Sequence, residues 1–416
     1  MTQQRLTISH IGHHGDGMAQ SEQGLVDVPY TLAGEEVTAE LTQHKDHLSG
    51  NVIEIIKPSS SRITPPCPVF GECGGCRLQH MDDTTYREWK LGVVNHLLEK
   101  NNFIINADSL FVTPPASRRR ATFTATKNAT GLQLGFHKRE SHELVSVAGC
   151  PVLRPELSRL IQPLKIMLNE LLQLNETLSV QATILNNVIE LVLSGKSFTQ
   201  NHTKHLISWA VEHGISRLYS KPDDNAECQI LLSQTVFIAR YGETQVAVQP
   251  AAFMQASDEA EAAMLNSIKP FFKSSKEIAD LFCGTGLFAL NLHDKSKTIL
   301  AVDVDGAAIN ALHSSTQNLR GFKTQRRNLF RDPLKAIELK NMDAICLDPP
   351  RAGAKEQIVE IARTKVCRIA YVSCNPITFM RDARILEDGG YKLTKVDVFD
   401  QFLWSHHIEL IGFFSR

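Results

Sequence analysis

The sequence has no surplus of charge and no long apolar run. Its 44 Lys and Arg offset 45 Asp and Glu, leaving a net charge of -1. A global basic field is therefore absent, and any nucleic-acid site has to be a local patch. No stretch approaches the roughly 18 apolar residues that a membrane span requires. Residues 1–10 are polar and lack the apolar core of a signal peptide. Together these absences make a cytoplasmic location the expectation. Cysteine is scarce and odd in number, with 9 in 416 residues. A chain of this length builds a core without disulfide staples, so metal binding or catalysis are the expected uses of those thiols. There is no internal repeat, no low-complexity tract and no oligomerisation element, and a monomer is expected.

The chain is long enough for two or three domains. Residues 1–58 read as a small all-β unit, with short alternating runs at 6–8, 24–28, 37–41 and 51–56 between Gly-rich or polar turns. That pattern suggests a barrel of the oligonucleotide-binding type. Residues 57–68 carry four prolines and three consecutive serines and read as a linker. The apolar period of Trp89, Leu91, Val94 and Leu97 predicts a helix over 84–100. Residues 59–255 form a central α+β region, and the helix at 84–100 is a candidate to pack on the C-terminal domain. From 256 to 416 strands and helices alternate, with strands expected at 277–282, 299–304, 344–348, 368–373 and 391–399. That rhythm argues for a doubly wound, Rossmann-like sheet whose ligand crevice lies at the C-terminal strand ends. The fold class is thus multidomain α/β.

Phe282, Asp303, Asp348 and Cys374 all fall at or near such strand ends. The strand ending at Phe282 runs into Cys283-Gly284-Thr285-Gly286, where glycines allow a tight turn and close approach to a ligand. Asp303 ends the next strand, where a carboxylate can accept from ribose hydroxyls. Gly284, Gly286 and Ala289 also satisfy a dinucleotide fingerprint, so a nicotinamide cofactor competes. Asp280, placed to meet an ammonium group, and Asp348-Pro349-Pro350 at a later strand end favour S-adenosylmethionine.

Cys374 is followed by Asn375 and Pro376, and the proline suits the first turn of a helix. The positive end of that helix is expected to lower the thiol pKa. A thiolate has a specific use in methylating carbon 5 of uracil. Its addition to carbon 6 makes carbon 5 nucleophilic, and a base must later remove the carbon-5 proton. Glu409 is the candidate base. Near the front, Cys67, Cys73 and Cys76 give C-x5-C-x2-C around Gly74-Gly75, with Cys150 as the candidate fourth thiolate. Such a set suits zinc or iron–sulfur, and the proline after Cys67 and after Cys150 favours iron–sulfur.

With these motifs in hand, the chain resembles the 5-methyluridine RNA methyltransferases that carry an N-terminal TRAM domain and an iron–sulfur cluster. The resemblance runs through HIGHHGDGMA and VDVPYTLAGEEV in the barrel and CPVFGECGGCRLQHM in the cysteine segment. It continues through DLFCGTGLFAL, LDPPRAG, VSCNP and HHIEL at the C-terminal end. It implies that Cys67, Cys73, Cys76 and Cys150 hold a [4Fe–4S] cluster with a structural or RNA-organising role. It further implies that Gln255, Phe282, Asp303, Asn328 and Asp348 bind S-adenosylmethionine, that Cys374 is the nucleophile and that Glu409 is the base. The implied substrate is a uridine in structured RNA, with 23S ribosomal RNA favoured over transfer RNA. The chain departs from the family pattern at Ser257, Leu287 and Leu403.

Arg118-Arg119-Arg120 is a candidate phosphate-binding run, and Lys138-Arg139 is a second. Two other functions compete. An amino-group RNA methyltransferase would share Asp348-Pro349-Pro350 but leave Cys374 idle. An iron–sulfur RNA-binding or redox-sensing module would leave Cys374, Glu409 and the glycine loop without use.

Overall fold

The computed structural model describes residues 2–223 and 225–416. Strands β1 (Thr2–Ile11), β2 (Gly17–Ser21), β3 (Gly24–Val28), β4 (Glu36–Gln43) and β5 (Leu48–Lys57) close into a barrel in the order β1-β2-β3-β5-β4. Period-two alternation turns Leu6, Ile8, Val26, Val28, Val37 and Ala39 inward as its core. Gly17, expected in a turn, instead begins β2, and a Cβ there would lie 2.1 Å from Thr31 Oγ1. The proline-rich segment after the barrel is tied down. Arg62 donates to the buried Glu35 carboxylate at 2.6 and 2.7 Å and to the Tyr30 carbonyl at 2.8 Å.

Helix α1 (Asp83–Lys100) starts at the N-cap Asp82, whose side chain accepts from Thr85 N. Strand β6 (Ser109–Val112) comes next. The central sheet has strands β7 (Arg120–Asn128), β8 (Gly131–His137), β9 (Leu144–Ser146), β10 (Thr177–Leu185), β11 (Val188–Ser194), β12 (Ile215–Lys221) and β13 (Gln229–Ser233). Their order is β13-β12-β11-β10-β7-β8-β9. Helices α2 (Pro155–Arg159), α3 (Ile161–Leu171) and α4 (Gln200–Glu212) accompany this sheet, and α3 and α4 bury apolar stripes in its core. The hairpin β14 (Ile238–Tyr241) and β15 (Thr244–Ala247) leads onward.

The C-terminal sheet contains β16 (Glu277–Leu281), β17 (Thr298–Asp303), β18 (Phe322–Arg326), β19 (Ala344–Leu347), β20 (Arg368–Ser373), β21 (Lys392–Asp400) and β22 (Glu409–Ser415). It runs β18-β17-β16-β19-β20-β22-β21-β6. Strands β16 to β20 are parallel to one another, and β22 is antiparallel to both β20 and β21. The connecting helices are α5 (Asp258–Phe271), α6 (Leu287–Leu292), α7 (Gly306–Thr316), α8 (Lys355–Ala362) and α9 (Pro376–Asp388). One face packs on α1, α8 and α9, and the other on α5, α6 and α7. The sheet order reverses between β16 and β19, which opens a crevice at their C-terminal ends.

The division of the chain at 255 and 256 is blurred by packing. Strand β6 pairs in parallel with β21 and so completes the edge of the C-terminal sheet. Val94 and Leu98 of α1 sit in that domain's core, as do Tyr241 and Val246 of the hairpin.

The arginine run is internal rather than a comb for phosphates. The Arg119 side chain is 1% exposed and donates to Asp258, to Glu261 at 2.5 Å and to the Gln255 carbonyl at 3.0 Å. It thereby joins the start of the central sheet to the first turn of α5. Arg120 is spent on Gln181 and the Ala252 carbonyl, and Arg118 lies over the Phe402 ring. In the second candidate run, Lys138 pairs with Glu143, and Arg139 with Asp16 of the barrel. Replacing Arg119 with Met leaves Glu261 without its cation and leaves the half-exposed Asp258 with Arg154 alone, at 3.5 Å. We expect Arg119→Met to lose about 2 kcal/mol in urea unfolding. A loss below about 0.5 kcal/mol would show that solvent replaces this tie.

Candidate active site

The glycine loop is built by backbone conformations that few residues tolerate. Phe282 has φ of 60°, Gly284 of 52° and Gly286 of 90°. A Cβ at Gly286 would approach Leu312 Cδ1 to 2.6 Å, so α6 begins hard against α7. Asp303 fastens this loop to the next strand. Its Oδ2 accepts from Gly284 N at 2.8 Å and its Oδ1 from Asp305 N at 2.9 Å. Asp280 is fully buried, and its Oδ2 accepts from Ala289 N at 2.7 Å. Its Oδ1 has no hydrogen-bond partner, an orphaned acceptor of the sort that a cationic ligand satisfies. Burial pushes its pKa well above the usual carboxylate range. Asn328 caps its own turn, its Oδ1 accepting from Phe330 N and Arg331 N, and the Phe330 ring lies 5.4 Å from that of Phe282. Ser257 is the N-cap of α5, accepting from Ala260 N.

A chain of side-chain amides links the later strand ends. Gln255 Nε2 donates to Asp348 Oδ2 at 3.2 Å. Gln401 Nε2 donates to Gln255 Oε1 at 3.0 Å, and Gln401 Oε1 accepts from Ala256 N at 2.9 Å. Gln401 also hydrogen-bonds the buried Glu409. Cys374 comes directly after β20, and Asn375 caps α9 by accepting from Ile377 N. Asn375 Nδ2 and Thr378 Oγ1 both donate to the Arg351 carbonyl, at 3.1 and 3.2 Å. These bonds fasten the Asp348–Arg351 loop to the Cys374 loop.

Electrostatically the site is a cluster of acids short of cations. Burial, with Asp348 beside it, pushes the Glu409 carboxyl up to about 8. Burial, with Asp303 beside it, pushes Asp348 up to about 7. The Cys374 thiol goes the opposite way from the sequence expectation. Burial, then the charges of Glu409 and Asp348, raise it to about 11, with Arg351 pulling back. The dipole of α9 does not outweigh burial and two nearby carboxylates. Cys374, Glu409 and Asp348 are thus close enough to feel one another's charge.

Cys67, Cys73, Cys76 and Cys150 are half-buried and mutual neighbours, since each of the last three is raised in part by the charges of others in the set. Burial is the main cause for each. Gly74 cannot carry a side chain, because a Cβ would lie 2.9 Å from the His137 carbonyl. Among the described residues, however, no three His, Cys, Asp or Glu side chains gather closely enough to hold a metal ion. The geometry alone does not support the expected cluster. Also among the described residues, no helix is long and apolar enough to cross a membrane.

Sequence reasoning missed Gln401, whose importance rests on partners far along the chain. It also missed Lys90. That residue lies between Tyr86 and Val94 on the buried side of α1, and a lysine on an apolar helix face was the available signal.

Comparison with known proteins places this geometry in context. The tRNA (Uracil-5-)-methyltransferase family model matches residues 242–416. An uncharacterized RNA methyltransferase of Mesorhizobium japonicum is 36% identical, over 99% of this chain and 98% of its own. The 23S rRNA (uracil(1939)-C(5))-methyltransferase RlmD of Vibrio vulnificus is 30% identical, over 99% of this chain and 96% of its own. The crystal structure of Pyrococcus abyssi tRNA (uracil-54, C5)-methyltransferase in complex with S-adenosyl-L-homocysteine superposes with a TM-score of 0.78, covering 99% of this chain and 100% of that one. Its 18% identity makes it a match of fold.

The raised carboxyl of Glu409 has a consequence for stability. Its folded pKa of about 8 lies above the ordinary 4.5, so the folded chain keeps a proton that the unfolded chain has released. The resulting stability is complete below 4.5 and is lost as pH rises through 8. Glu409→Gln has no proton to release. The melting temperature of this variant, relative to the parent, should therefore climb between about pH 5 and about pH 8.5. A constant difference in calorimetry would show that Glu409 is ionised throughout.

Proposed function

The chain belongs to the RNA (uracil-5-)-methyltransferases, and on that footing we propose that it methylates carbon 5 of a uridine in structured RNA through a covalent adduct on Cys374, with 23S ribosomal RNA as the favoured substrate. The observation that carries this reading is the half-buried Cys374 thiol beside the buried Glu409 carboxyl, each near the end of a paired strand. S-adenosylmethionine, when bound, supplies an electrophilic methyl group on a sulfonium. Asp280, with its unpartnered oxygen, Phe282, Asp303 and Asn328 around the glycine loop, and Gln255 and Asp348 at the neighbouring strand ends would hold it.

Cys374 Sγ adds to carbon 6 of the uracil and gives up its proton. Asp348, whose carboxyl lies near 7 and whose charge the thiol feels, takes that proton and leaves Glu409 for the later step. Carbon 5 takes the methyl group. Glu409 in its carboxylate form then removes the carbon-5 proton, the carbon 5–carbon 6 double bond returns, and Cys374 leaves as a thiolate. The uridine has to be turned out of its stack to reach this pocket. The near-equal charges of the chain leave RNA affinity to local groups, of which Arg351 is one exposed beside Cys374.

The [4Fe–4S] cluster is part of this proposal. Cys67, Cys73, Cys76 and Cys150 would hold it, and the reading rests on their spacing in the sequence. Bound iron would favour the thiolate form, against the burial that raises the pKa of Cys73, Cys76 and Cys150. Protein purified without oxygen should contain iron and inorganic sulfide, and Cys76→Ser should lose both. Zinc in their place would overturn the cluster.

The test of the function is nucleoside mass spectrometry of ribosomal and transfer RNA from cells with and without the gene. Loss of 5-methyluridine from the ribosomal pool is expected, and loss from transfer RNA alone would overturn the substrate. Cys374→Ala should abolish methylation while still binding S-adenosylmethionine, and residual turnover would sink the thiolate mechanism.

A further inference from the structure

Residues 401–408 join β21 to β22, begin with Gln401 and lead into Glu409. This loop is gripped from outside the catalytic sheet. Trp404 has φ of 60°, a strained conformation for a bulky residue that persists only where its surroundings impose it. The surroundings are specific. Its carbonyl accepts from Arg77 N at 2.7 Å and Leu78 N at 3.1 Å, next to Cys76. Its N–H donates to the Tyr86 hydroxyl at 2.8 Å.

Tyr86 donates in turn to Asp400 Oδ2. One helical turn on, Lys90 Nζ donates to Asp400 Oδ1 at 3.1 Å and to the His407 carbonyl at 2.5 Å. One face of α1 therefore holds the loop at Asp400, at Trp404 and at His407. The side chains of Lys90 and Asp400 are both 0% exposed. A buried ion pair is weak evidence for stability, because an apolar pair of the same volume holds a fold as well or better. The directional bonds to the loop are what an apolar pair cannot supply.

We propose that Tyr86 and Lys90 are positioning residues for release of the methylated RNA. By fixing Asp400 they fix the adjoining Gln401, whose amide holds Gln255 and the Glu409 carboxyl. Glu409 is thereby aimed at the carbon-5 proton, whose removal returns the double bond and expels the Cys374 thiolate. Methyl transfer precedes this step and does not use Glu409, so the two steps separate when the grip is loosened. The proposal rests on the covalent mechanism given above.

The test uses the full chain in single turnover, with methyl-labelled S-adenosylmethionine and total RNA from cells lacking the gene. Labelled protein–RNA adduct is separated from released RNA on a denaturing gel. Tyr86→Phe keeps the ring in its apolar seat and removes only the hydroxyl. It should form labelled adduct at the parent rate and release it about tenfold or more slowly, with affinity for S-adenosylmethionine unchanged. Lys90→Met should do the same, and Glu409→Gln marks fully blocked release. Parent-like release in both α1 variants overturns the proposal. So does an equal fall in adduct formation and release alongside a lower melting temperature, which marks structural support only. Normal release by Glu409→Gln would instead remove Glu409 as the base, and the positioning role falls with it.

Discussion

Four carboxylates and a thiol share the C-terminal edge of one sheet, and the fold supplies them with very little positive charge. Asp280, Asp303, Asp348 and Glu409 make no ion pair among the described residues. Neutral donors take the place of cations. Backbone N–H groups of Ala289, Gly284 and Asp305 serve Asp280 and Asp303, and the amides of Gln255 and Gln401 serve Asp348 and Glu409. Such donors hold the acids in place without neutralising them, so at Asp280, Asp348 and Glu409 protonation absorbs the remaining cost of burial. The pocket is thus electrostatically unfinished. A ligand bearing both an ammonium and a sulfonium relieves that state, and its arrival favours ionisation of the neighbouring carboxyls.

The three parts of the chain meet at a small apolar junction beside this pocket. Leu32 of the barrel domain, Leu78 and Met81 of the cysteine segment, Tyr86 and Trp89 of α1, and Leu403 of the catalytic loop pack together there. Polar bonds cross the same junction. Trp89 Nε1 donates to the Gly12 carbonyl at 3.2 Å, and Arg77 to the His14 carbonyl at 3.3 Å. Leu403 gives the junction an apolar side chain that is 6% exposed. The imidazoles of His14, His406 and His407 border this region. Burial first, and then neighbouring His, Arg and Lys cations, hold all three below the usual histidine range. The rim of the site therefore carries neutral aromatic rings at neutral pH.

Much of this was legible because it is local. The strand before the glycine loop, the strand ends at Asp303, Asp348 and Cys374, and the helix at 84–100 all announce themselves within a dozen residues. The barrel did so too, except that β2 hid in a glycine-rich stretch. What was not legible depends on distant partners. Gln401 meets Gln255 across 146 positions, and Lys90 meets Asp400 across 310. The arginine run at 118–120 looked like surface because its acids, Asp258 and Glu261, lie on a helix far downstream. The Cys374 pKa was misjudged for the same reason, since the helix after it is visible in sequence and its burial and the carboxylates facing it are not.

Strand β6 has one further consequence, for how the chain is made. Ser109 Oγ donates to Asp397 Oδ1 across 288 positions, and the edge of the catalytic sheet closes only with that pairing. During synthesis β6 and α1 emerge long before the strand and helices they cover, and they wait through the whole central domain. A fragment starting at residue 256 would meanwhile carry β21 as a bare edge and leave the seats of Val94 and Leu98 uncovered. The methyltransferase domain is in this sense discontinuous, and its last strands complete a structure whose rim was laid down first.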